Sequence, residues 1–98
     1  MPNLNYNRGR SKEYHAMTLL RDDGWVVARS AASHSPVDIF AARLGVALLV
    51  QVKSGKARVK AEEAKELVKW AEAFNADAEI WHFKARGHLV KRRVRARK

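Results

Sequence analysis

Cysteine is absent from this chain, which excludes both a disulfide scaffold and a thiolate zinc centre. Long apolar runs are absent too. The longest unbroken one, VALLV at 46–50, falls far short of the ~20 residues that cross a bilayer. The opening stretch, MPNLNYNRGRSKEY, is polar and holds no apolar signal core, so a cytoplasmic location without a membrane partner is expected. Repeats and low-complexity linkers are missing, and the 98 residues are expected to form one domain, 1–98, near the lower end of what a single core supports. The histidines, His15, His34, His82 and His88, are scattered without zinc-site spacing. Acidic residues are scarce. Ten Asp and Glu face twenty Lys and Arg, a net charge of +10 with His neutral. Such a field on so small a body favours a polyanionic partner, nucleic acid above all. It does not separate binding from catalysis.

What is present reads as an alternation of helices and strands. Residues 1–8 show no periodicity and are expected to form a flexible basic arm. From about 10 to 22, Ala16, Met17 and Leu20 share one helix face, and Gly24 marks its end. WVVARSA predicts a strand and ASHSP a polar loop. Two further strands, about 37–43 and 46–53, flank a hairpin turn at RLG. The second is nearly continuously apolar, as suits a central strand covered on both faces. Ala64, Leu67, Val68, Ala71 and Phe74 predict an amphipathic helix over about 59–74. AEIWHF and HLVKRRV read as a fourth strand and a fifth, edge strand, and residues 91–98 as a basic tail on the DNA backbone. Trp25 and Trp81 fit core packing, whereas Trp70 fits either a dimer interface or a partly buried helix position. The order αβββαβ(β) is that of a small α/β domain with a mixed central sheet flanked by helices.

Within SHSPVDIFAARLGVALLVQVKSG (33–55), an aspartate and a glutamine–lysine pair sit among apolar residues. Buried charges are costly unless paired, hydrogen-bonded or bound to metal. Gln51 and Lys53, two apart on a strand, share a face, and counting back from the 44–45 turn places Asp38 nearly opposite Gln51. Glu13 stands three, four and seven residues before Ala16, Met17 and Leu20, on the core-facing stripe. It fits a metal ligand, or equally a first-turn acid favoured by the helix dipole. Glu13, Asp38, the Gln51 amide oxygen and the Val52 backbone carbonyl form an oxygen set suited to Mg²⁺, with Mn²⁺ as a substitute. Lys53 beside it would orient water or stabilise phosphate charge, and the group suits phosphodiester hydrolysis. The plainer alternative makes Gln51 a satisfied core amide and Lys53 the lead into a solvated loop. His34 is placed to touch phosphate or assist proton transfer, or else is a solvent-exposed loop residue. Lys56 and Arg58 in the SGKAR loop are candidate DNA contacts. No small-molecule cofactor is expected.

A strand bearing VD followed by an apolar strand ending in QVK resembles the PD-(D/E)xK nuclease core, and so implies a restriction-endonuclease-like fold. More specifically, YNRGRSKEYHAMTLLRDDGWVVARSAASHSPVDIFA followed by LLVQVKSG, about residues 6–55, resembles the archaeal-type Holliday junction resolvases. That resemblance implies Glu13, Asp38 and Lys53 as catalytic, with Gln51 assisting. It implies Arg29, Ser30 and Ser33 as strand or loop contacts near the active site, and Arg8 and Arg10 as the basic segment that touches DNA. It further implies a homodimer that nicks paired strands of four-way junction DNA in Mg²⁺, leaving 5′-phosphate and 3′-hydroxyl ends. Two departures stand out. Glutamate is usual in the family where Gln51 stands, so cation binding is expected to be weaker unless Glu13 compensates. Arginine often follows the helix glutamate, where this chain has Tyr14. Two other functions stay open: a nuclease of the same fold acting on duplex, flap or modified DNA, and a DNA-binding protein on a decayed nuclease scaffold.

Overall fold

The computed structural model describes residues 4–30 and 35–98, with side chains from residue 11 onward. The elements run α1 (Leu4–Asp22), β1 (Val26–Arg29), β2 (Ile39–Arg43), β3 (Val46–Ser54), α2 (Ala61–Phe74), β4 (Asp77–Phe83) and β5 (Leu89–Arg95), with a 3₁₀ turn (Ala85–Gly87) before β5. All five strands lie in one sheet in chain order. β3 and β4 are parallel, joined by the α2 crossover, and the other neighbours are antiparallel. The expected αβββαβ(β) order and mixed sheet are both observed.

The middle strand explains its own composition. Leu48 and Val50 pack on one face with Ala16, Met17 and Leu20 of α1 and with Trp81 and Phe83. Leu49 packs on the other with Leu67 and Ala71 of α2 and with Ile80. A strand buried on both faces has no solvent side to fill with polar residues. Trp70 packs against the α2-side core, half-buried. No described helix is long and apolar enough to cross a membrane.

The β2–β3 hairpin closes through the two residues Leu44 and Gly45, between the paired Arg43 and Val46. Both have positive φ, 51° and 78°, the left-handed pair that matches strand twist in a two-residue hairpin. Gly45 takes that conformation freely; Leu44, 96% exposed, does so at a steric cost of ~1 kcal/mol. Leu44→Asn should therefore raise unfolding free energy by roughly 0.5–1 kcal/mol, read as a higher urea midpoint with an unchanged slope.

Both ends of the chain depart from expectation. The stretch 1–8, read as an arm, is helical from Leu4. A polar segment without an apolar stripe extends α1 because propagation needs no new nucleus once the packed turns around Ala16 exist. As a result Glu13 lies in the middle of α1, not in its first turn, and the helix-dipole explanation for it falls away.

The stretch 91–98, read as a basic tail, is strand β5 as far as Arg95. Arg93 pairs with Glu79 at 2.7 Å and Asp77 at 3.6 Å. Arg95 Nη1 donates to the carbonyls of Ala76 (2.7 Å) and Ala71 (3.1 Å) at the end of α2. The amides of Arg97 and Lys98 donate to Asp77 Oδ1 and Asn75 Oδ1. The acids that hold the run, Asp77 and Glu79, sit on the neighbouring strand β4, with the Asn75 amide in the turn before it; composition alone does not place them beside it. Arg95→Ala is expected to cost about 1.5–3 kcal/mol, the range for hydrogen bonds to a charged group, measurable by denaturant unfolding.

Candidate active site

The hairpin register brings the polar residues together. Ile39 pairs with Val50, and the pairing continues one step further, where the Asp38 amide donates to the Val50 carbonyl at 2.9 Å. Asp38 Oδ2 accepts the Val52 N–H at 2.7 Å. Asp38 therefore lies just before β2, opposite Gln51, as the turn arithmetic expects. Gln51 and Lys53 follow Leu49 on the α2 side of β3. Gln51 is 7% exposed, and its Oε1 is buried without a hydrogen-bond donor among the described residues. It is not a satisfied core amide.

Burial pushes the Asp38 carboxyl up to about 6; the Val52 N–H works against this, the Glu13 charge adds to it, and Lys53 opposes it. Helix acid and strand lysine thus both act on one carboxylate. Arg29, at the end of β1, ion-pairs with Glu13 across 3.2 Å, and its guanidinium lies over the Tyr14 ring. The Ser30 amide donates to the Asp38 carbonyl at 2.8 Å. The structure thus joins two of the expected contact residues, Arg29 and Ser30, to the acids themselves.

Lys53 Nζ lies 2.6 Å from Glu63 Oε2 in the first turn of α2. Sequence reasoning missed Glu63. A signal was there: Glu63 stands four residues before the buried Leu67, the same spacing that marks Glu13 against Met17.

These groups fit a hard divalent cation. A buried carboxylate under the influence of a second carboxylate, beside an unpartnered amide oxygen, is a set of oxygen donors that a cation would satisfy. Among the described residues no group of three acids, histidines or cysteines converges, in keeping with an amide at position 51.

An open groove of about 1470 Å³ is lined by Lys12, Lys56, Arg58, Lys84, Arg86 and Arg92, with no acid along it among the described residues. His82 Nε2 contacts the Gly55 carbonyl at 2.8 Å, tying the loop that carries Lys56 and Arg58 to β4. Sequence reasoning named those two; the β4–β5 connection adds Lys84 and Arg86. Arg8 and Arg10 lie on α1 with side chains outside the described residues, as Ser33 and His34 are altogether.

The family model described as archaeal Holliday junction resolvase (Hjc) matches residues 4–94. The crossover junction endodeoxyribonuclease Hjc of Sulfurisphaera tokodaii is 43% identical over 60 residues, covering 55% of this chain and 41% of that protein. The match thus spans less than half the length of that relative. Among solved structures, Archaeoglobus fulgidus Hjc, a Holliday junction resolvase from an archaeal hyperthermophile, superposes with a TM-score of 0.78 at 27% identity, over 89% of this chain and 73% of that one.

Proposed function

Since the chain belongs to the archaeal Holliday junction resolvase family, we propose that it is a structure-specific endonuclease that resolves four-way junction DNA by metal-dependent phosphodiester hydrolysis. The observation that carries this reading is Asp38, a desolvated carboxylate facing Glu13 and Lys53 and pinned by the Val52 amide. Glu13, Asp38, Gln51 Oε1 and the Val52 carbonyl would hold Mg²⁺, or Mn²⁺ in its place. When bound, the ion supplies Lewis-acid polarisation of the scissile phosphate.

The chain's own residues do the rest. Arg29 fixes Glu13, and the Val52 N–H fixes Asp38. Lys53 sets a positive charge where the phosphate becomes more negative and orients the attacking water. Water adds to phosphorus in line with the departing 3′ oxygen, and the products are a 5′-phosphate and a 3′-hydroxyl. Lys56 and Arg58, with the other cations of the groove, take the backbone of a junction arm. Phosphate contacts position a duplex without reading its bases, as a structure-specific enzyme requires. The family resemblance would give Arg8, Arg10 and Ser33 substrate contacts, with His34 a further candidate, and Arg29 and Ser30 support the acids.

Paired nicks need two centres, and one chain offers one Asp38. A homodimer supplies the second. Its surface is the α2 face where Phe74 is exposed against Phe40, beside Trp70. The chemistry suits a cytoplasmic DNA-processing enzyme.

The substrate class is tested by presenting four-way junction, flap and matched duplex at equal salt with Mg²⁺. Symmetric nicks in the junction alone are expected. Duplex cut at the same rate would make the chain a general nuclease, and binding without cutting in Mg²⁺ or Mn²⁺ would leave a DNA-binding scaffold.

A further inference from the structure

The proposed chemistry needs Lys53 held still, and the strand does not hold it. Residues two apart on a strand share a face, so position 51 is the natural place for an acid that balances the lysine. Here that position is a neutral amide whose oxygen contacts no donor among the described residues. A lysine is a point charge on a flexible four-carbon stem. Without a fixed counter-charge it samples many positions.

Asp38 is near enough to feel the Lys53 charge, but the counter-charge in direct contact with the ammonium comes from the helix. Glu63 Oε2 is shielded from solvent and lies 2.6 Å from Lys53 Nζ. The contact is close but poorly aligned for a hydrogen bond, so charge rather than direction holds it. Neither side chain is a free surface group: Lys53 is 22% exposed and Glu63 32%. The helix behind Glu63 is anchored by Leu67 and Ala71, both fully buried, so the carboxylate is delivered from a rigid element. A first-turn acid that served only the helix dipole would need no lysine partner.

We propose that Glu63 is a positioning residue for Lys53, taking from α2 the charge-balancing part that Gln51 cannot play. This rests on the nuclease reading of the site. It predicts that the acid can be moved between helix and strand. Glu63→Gln should lose the Lys53 arrangement, and adding Gln51→Glu should restore it.

The test compares the full-length wild-type chain, Glu63→Gln and the double variant Glu63→Gln/Gln51→Glu. The first readout is the Lys53 ζ-ammonium resonance in metal-free protein, assigned by its loss in Lys53→Met. It should vanish through fast exchange in Glu63→Gln and return in the double variant. The second is single-turnover junction cleavage, expected to fall roughly 10- to 100-fold in Glu63→Gln, the scale of a misplaced catalytic group, with junction Kd unchanged. The double variant should recover most of that loss. A Lys53 resonance and cleavage rate unaffected by Glu63→Gln would overturn the proposal. So would a double variant no better than Glu63→Gln, which would make the ion pair structural only. If the wild-type chain cuts nothing, the nuclease reading fails, and the resonance alone decides on Glu63.

Discussion

Asp38→Asn should lower junction cleavage by about a thousand-fold or more, the scale on which essential active-site groups act, while making the metal-free protein more stable at pH 8. Both effects have one cause. The carboxylate is desolvated and faces the Glu13 charge, which lifts its pKa from 3.8 to about 6. A group whose folded pKa exceeds its unfolded one binds more protons when folded, so stability falls as pH rises between the two values. Its favourable contribution is complete below pH 4 and gone above pH 6. Two units would correspond to about 3 kcal/mol at 1.36 kcal/mol each, and partial solvent access reduces this to roughly 1–2 kcal/mol. Asparagine stays neutral, and its oxygen can still accept the Val52 N–H. The variant should therefore exceed the wild type by that margin at pH 8, and the gap should close toward pH 4. A stability difference that does not change with pH would show that the carboxylate carries no such cost.

Lys53→Met should reduce cleavage by about 100- to 1,000-fold, the range for losing one charge-stabilising group in a transition state, with junction affinity little changed. Methionine keeps most of the apolar stem and removes only the ammonium. In the proposed reading junction affinity rests on the cations that line the groove, Lys12, Lys56, Arg58, Lys84, Arg86 and Arg92, none of which is touched. Glu63 loses its partner, but a carboxylate a third exposed can turn to water, so the stability cost is small. Single-turnover cleavage alongside equilibrium junction binding separates these effects. A parallel loss of affinity and rate would assign Lys53 to DNA binding instead.

The part of the site carried by the hairpin was legible in the sequence, because a two-residue turn sets the register by counting. Asp38 opposite Gln51 follows from Arg43 opposite Val46. The α/β order was legible because β3 is a nearly unbroken apolar run and the two helix stripes each carry a single periodicity. Glu13 was legible as a stripe position but not as a mid-helix one, since α1 runs back through polar residues that carry no stripe. Strand β5 was obscured by its own charge. Its acid partners, Asp77 and Glu79, lie on β4, and Glu79 is set opposite Arg93 by a pairing that includes a bulge. Glu63 and Arg29 belong to contacts made across elements, Arg29 with an acid sixteen residues away. Position within an element does not announce such contacts; the topology that brings the elements together does.

The most direct test of the proposed metal-dependent centre at Asp38 is cleavage of an end-labelled four-way junction by wild type and Asp38→Asn, each with Mg²⁺ and with EDTA. Paired symmetric nicks by the wild type in Mg²⁺ are expected, lost both in EDTA and in the variant while junction binding persists. Nicks that survive EDTA, or that Asp38→Asn makes as fast as the wild type, would contradict that assignment.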